Sequence, residues 1–104
     1  MKIICRVACV AAGLLLPTIA IADPGVSPDK IVFGQAAPFE GPAAGLGLDM
    51  RLGLRAAFEE ANRAGGAKGR KLELNTLDDG YEPTKSIEAV KKLIDEDKVF
   101  ALVG

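Results

Sequence analysis

The pattern of hydrophobic and polar positions along the chain predicts five elements, preceded by a stretch of a different kind. Ile31-Val32-Phe33-Gly34-Gln35-Ala36 is nearly all apolar, as in a strand buried on both faces. Pro38 to Gly47 carries Gly41-Pro42 and two further glycines, and reads as a loop opening into a helix. Met50, Leu54, Ala57, Phe58 and Ala61 then recur at helical spacing as one apolar stripe. Arg51, Arg55, Glu59, Glu60 and Arg63 lie mainly around the other face, and Gly65-Gly66 stops the helix. From Arg70 to Leu77 the pattern alternates, the mark of a strand with one wet face at a sheet edge. Asp78-Asp79-Gly80 closes that strand. Pro83 suits a first helical turn with Glu82 at the cap position, and Ile87, Val90, Leu93 and Ile94 predict a second apolar stripe. Val99 to Val103 is another continuous apolar run, a second buried strand that leads to Gly104.

The predicted order is strand, helix, strand, helix, strand with short connections. Such a chain makes parallel pairs through crossover helices. The two apolar strands belong side by side and the alternating one outside. The fold class is therefore α/β: a three-stranded parallel βαβαβ half of a doubly wound sheet, strand order 2-1-3. Ligands of such sheets bind beyond the carboxyl ends of the strands where the order switches. Here that places attention on the Pro38–Gly47 loop and on the end of the third strand at Gly104.

The opening stretch changes the picture of where the chain works. Met1-Lys2 and Arg6 supply positive charge, Val7 to Leu16 is apolar, Pro17 breaks the run, and Ala20-Ile21-Ala22 is a small-x-small triplet before Asp23. This is the three-part pattern of a secretory signal peptide, residues 1–22, with cleavage after Ala22. The apolar run falls short of the ~20 residues of a spanning helix. Cys5 and Cys9 precede completion of the apolar core, too early to accept a lipid. The predicted mature part, residues 23–104, has no histidine and loses both cysteines with the leader. That removes thiol chemistry, disulfides and Cys/His metal sites, along with the usual neutral-pH general base. The formal charge is −1 for the whole chain and, once Lys2 and Arg6 leave, −3 for the mature part. Neither value suits a nucleic-acid surface.

Three features invite a chemical reading. The glycines from Gly41 to Gly47 lack the Gly-Lys-Ser/Thr of a phosphate loop and the spacing of a dinucleotide turn. They are either a plain turn or a backbone surface beside helix N–H groups that meets a ligand. Asp78-Asp79 resembles an acid/base or cation pair, yet adjacent residues of a strand point apart, and capping of turns is the preferred reading. Tyr81, the single tyrosine, is a packing residue at a loop mouth or a ligand platform.

Taken together, certain segments have a familiar order. Ile31 to Gln35 with Gly41-Pro42-Ala43 come first, then Asn62-Arg63-Ala64-Gly65-Gly66 with Gly69-Arg70-Lys71-Leu72. Asp78-Asp79-Gly80-Tyr81-Glu82-Pro83 follows, and last Lys91-Lys92-Leu93-Ile94 with Val99 to Gly104. In this order and spacing the chain resembles a periplasmic binding protein of the Leu/Ile/Val-binding type. The resemblance implies the first lobe of a type I periplasmic binding protein fold. It implies a non-enzymatic, extracytoplasmic receptor for an ABC importer, in which two lobes close over an amino acid or related small polar solute. Contact with permease subunits in the inner membrane is implied as well, with no obligatory cofactor, catalytic residue or metal. For the solute it points to Glu40, Gly41, Leu46 and Gly47. Leu46 stands where many relatives place an aromatic residue, and Glu40 where many have a small hydroxyl residue. Family members are several times longer, so residues 23–104 are expected to be the amino-terminal part of the first lobe, a fragment. The alternatives are a segment of a signalling-receptor ectodomain, or a truncated product without function.

Overall fold

The computed structural model describes residues 22–104. The leader read from the sequence lies, through Ile21, outside the described residues. Five elements follow in the predicted order: β1 (Lys30–Ala37), α1 (Ala44–Arg63), β2 (Lys71–Asp78), α2 (Pro83–Asp95) and β3 (Ala101–Leu102). The strands form one parallel sheet in the order β2-β1-β3. β1 pairs with β2 along its whole length, Lys30 opposite Lys71 and Ala37 opposite Asp78. β3 pairs with β1 at only two positions, Phe33 with Ala101 and Gly34 with Leu102. The ladder nevertheless reaches further, because Phe100 N–H donates to the Val32 carbonyl (2.7 Å) and Val103 N–H to the Gly34 carbonyl (2.9 Å).

Adjacent residues of β1 show that the helices cover opposite faces of the sheet. The Phe33 ring lies 5.2 Å from the Phe58 ring of α1, centroid to centroid. Gly34, pointing the other way, leaves room for α2 and β3. A Cβ at Gly34 would approach Val99 Cγ2 to 3.1 Å, and Leu102 Cδ2 and Leu93 Cδ1 each to 3.2 Å. The best-sealed core is on this α2 face, where Ala89, Leu93 and Val99 are buried and Leu93 has no exposed surface. On the α1 face Leu54, Phe58 and Ala61 are only half-buried.

Of the two outer strands, only the third is wetter than its apolar pattern predicts. β2 alternates as expected, with Lys71 and Glu73 exposed and Leu72 and Leu74 turned inward. The run from Val99 to Val103 that holds β3, read as buried on both faces, has Phe100 50% and Leu102 42% exposed. It lies at the end of the sheet, and no further strand among the described residues covers its outer side. On α2 the inward stripe is Ser86, Ala89, Val90 and Leu93, while Ile87 and Ile94 face out. The stripe is thus rotated from the predicted one, because a polar residue with its own partner heads it.

Asn62, at the end of α1, ties the helix to the sheet edge. Its Nδ2 donates to the Leu72 carbonyl (3.0 Å) and its Oδ1 accepts from Leu72 N–H (2.8 Å). The side chain thereby acts as a short strand for backbone groups that the edge leaves unpaired.

Candidate functional site

Both crossover connections begin at the carboxyl end of the sheet, and each is shaped by one acid of the Asp78-Asp79 pair. After β1 the chain runs from Pro38 to Ala43 and enters α1 at Ala44. The loop is shorter than the predicted Pro38–Gly47 because Gly45, Leu46 and Gly47 are already helical. The glycines mask this start, since glycine disfavours helix interiors. Gly47 is there for room: a Cβ on it would lie 1.9 Å from the Pro38 carbonyl oxygen, so the first turn of α1 presses directly on the loop backbone. Asp78 holds the loop from the other side, its Oδ1 accepting from Phe39 N–H at 2.5 Å. That bond, helped by the N–H groups of Gly80 and Glu40 and the charge of Lys85, draws the Asp78 carboxyl below its ordinary value, against a smaller desolvation effect. Arg51 stacks over the Phe39 ring, 4.3 Å from its centroid.

Asp79 turns to the opposite side. It is buried, and its carboxylate accepts from Tyr81 N–H (2.9 Å) and from Ser86 Oγ (2.7 Å). These bonds fix the entry to α2, where Glu82 makes no side-chain cap. They also hold Tyr81 at φ +62°, a left-handed conformation uncommon for a bulky residue. Tyr81 is left 68% exposed. The two acids therefore work separately, as turn and loop anchors. Among the described residues no three His, Cys, Asp or Glu side chains gather as a metal site would require.

Between the two helix starts lies a cleft of about 440 Å³. Pro38, Leu46 and Met50 form one wall, Asp79, Tyr81 and Ser86 the other, and Gln35 and Gly104 the floor. It sits where the strand order reverses, between the carboxyl ends of β1 and β3. Of the residues singled out from the sequence, Leu46 and Gly47 line it, whereas Glu40 and Gly41 do not and lie exposed on the preceding loop. Gln35 and Met50 were not singled out. A lone polar residue inside an apolar strand was the available signal for Gln35. Met50 counted only as part of the core stripe.

Residues 30–104 match the family model described as periplasmic binding protein. The chain belongs to this family. Its fold is that of the type I members, with the three parallel strands in the order 2-1-3. An amino acid binding protein of Pseudomonas aeruginosa is 36% identical over 91% of this chain, a match that covers 24% of that protein. The crystal structure of a possible leucine/isoleucine/valine-binding protein from Rhodopirellula baltica is 42% identical with a TM-score of 0.70, covering 73% of this chain and 21% of that one. A fatty acid ABC transporter substrate-binding protein from Thermomonospora curvata is 32% identical with a TM-score of 0.72, covering 78% and 20%. The chain thus spans about a quarter or less of the length of the relatives it matches. No helix among the described residues is long and apolar enough to cross a membrane.

Proposed function

We propose that the chain is the amino-terminal part of the first lobe of a solute receptor that serves an ABC importer. In this reading residues 1–22 direct export and are removed, and residues 23–104 work in the periplasm. The receptor takes an amino acid or a related small polar solute, does no chemistry on it, and delivers it to permease subunits in the inner membrane. The observation that carries the reading is the position of the cleft. It opens where the strand order reverses, on a fold whose relatives are named as binding proteins. Its walls are mainly apolar, with a few polar groups at the floor, as in small-molecule sites.

Leu46 and Gly47 belong to the proposed solute wall. Glu40 and Gly41 enter the proposal one step out, at the rim of the loop, where the Glu40 carboxylate biases the charge of what approaches. One wall of a two-lobed clamp leaves much of a solute in water, so residues 23–104 alone are expected to bind weakly.

Two measurements test this. Mass spectrometry of the exported product should show the loss of residues 1–22, and retention of the leader would contradict export by cleavage. Titration calorimetry with the twenty amino acids should give micromolar binding by the mature protein made from its complete coding sequence, and no such binding by residues 23–104 alone. Micromolar affinity in the short segment would show that this lobe segment suffices.

A further inference from the structure

Gln35 is 1% exposed, and neither Nε2 nor Oε1 of its side chain has a hydrogen-bond partner among the described residues. Folded proteins rarely leave a buried amide this way, because its lost hydration is not replaced. Its place in the cleft suggests what it waits for. Gln35 sits two residues before the end of β1, and its amide lies beneath Gly104. A Cβ at Gly104 would be 3.2 Å from Nε2 and 3.7 Å from Cδ. Gly104 has φ +107° and no side chain, so what lies over the amide at this position is main chain. The other buried polar side chain lining the cleft, Asp79, is already committed to Tyr81 and Ser86.

We infer that Gln35 determines specificity, its amide reading a solute group that carries a donor and an acceptor side by side. An α-amino acid fits, its ammonium donating to Oε1 and its carboxylate accepting from Nε2. A carboxamide fits in the same way. A bare carboxylate accepts only and leaves Oε1 facing lone pairs. The cleft therefore prefers amino acids or amides to simple carboxylic acids of the same carbon skeleton. This inference rests on the cleft being the solute site.

The test uses the mature protein from its complete coding sequence and two probes, leucine and 4-methylpentanoate, the latter being leucine without its ammonium group. Calorimetry on the wild type should show leucine binding at least about tenfold tighter, as expected when a buried polar group is left unpaired by the wrong ligand. Gln35→Met, close in shape but with neither donor nor acceptor, should lose that margin. Its ligand-free Tm should be unchanged or raised by about 2–8 °C, since the orphaned amide is gone. A wild type that binds both probes equally overturns the inference and leaves the solute receptor standing. So does a Gln35→Met protein that keeps the margin, or one whose ligand-free Tm falls by several degrees, because the amide then has a partner already. A wild type that binds none of the twenty amino acids overturns the amino-acid receptor and this inference with it, and where another of them binds in place of leucine, that amino acid and its deaminated carboxylate form the probe pair. The ratio measured on the wild type decides the matter if the variant does not fold.

Discussion

The two helices that flank the cleft start at the same end of the sheet but are held there differently. α2 is anchored by its own neighbourhood. Asp79 accepts from Tyr81 N–H and from Ser86 Oγ within the first turns, and Leu93 and Ala89 seat the helix in the best-sealed part of the core. α1 has no side-chain cap and no acid in its first turn. It is held by contact of Gly47 with Pro38 and by a carboxylate borrowed from β2, and much of its inner face is only half-buried. One wall of the cleft is thus rigid by local bonding, and the other is set by shape. Under the proposed function, solute preference would change through the α1 wall, at Leu46 and Met50, without disturbing the sheet.

The largest effect that separates the walls is in the core. Leu93→Ala should cost about 2–5 kcal/mol in denaturant unfolding, through lost burial and a cavity. Leu54→Ala on the α1 face should cost only about 1–2 kcal/mol, in proportion to its partial burial. Equal losses would remove the contrast.

Next come the glycines of α1. Gly47→Ala drives a methyl group into the Pro38 carbonyl and should destabilise by about 1–3 kcal/mol while moving the α1 wall. Gly45→Ala meets nothing within 4 Å and should stabilise by about 0.5–1 kcal/mol through helix propensity. Unfolding midpoints of the pair sharpen the claim that Gly47 serves close packing.

On the α2 side, Ser86→Ala should cost about 1–2 kcal/mol, since it strips the buried Asp79 carboxylate of one donor. Hydrogen exchange should show faster opening at the entry to α2, with α1 unaffected.

The smallest effect concerns pH. Asp78 has its carboxyl drawn below its ordinary 3.8, chiefly by Phe39 N–H. A depressed carboxyl favours the folded state above the ordinary value and loses that support as pH falls through the folded one. The wild type should therefore lose stability below about pH 4, and Asp78→Asn should flatten that part of the profile. An unchanged acid limb would mean that Asp78 does not hold the Phe39 loop.

Much of this was legible in the residues. The five elements, their order and the β2-β1-β3 arrangement follow from runs of apolar residues, one alternating segment and Pro83. Such patterns report burial averaged over an element. They do not report which face of a helix wins when a polar residue has a partner, and so the α2 stripe runs through Ser86 rather than Ile87 and Ile94. The start of α1 was hidden because Gly47, needed for contact with Pro38, and Gly45 beside it are of the residue type that punctuates loops. Of the residues lining the cleft, Leu46 and Gly47 were reached through the family resemblance, whereas Gln35 was not, since what sets it apart is bonds it does not make.

The most direct test of the central claim is a crystal structure of the mature protein, made from its complete coding sequence and grown with its solute bound. The account predicts solute density between Leu46 and Tyr81, above Gln35, at the carboxyl ends of β1 and β3. Density at the opposite end of the sheet, or against the outer face of either helix with this cleft filled by protein, would contradict it.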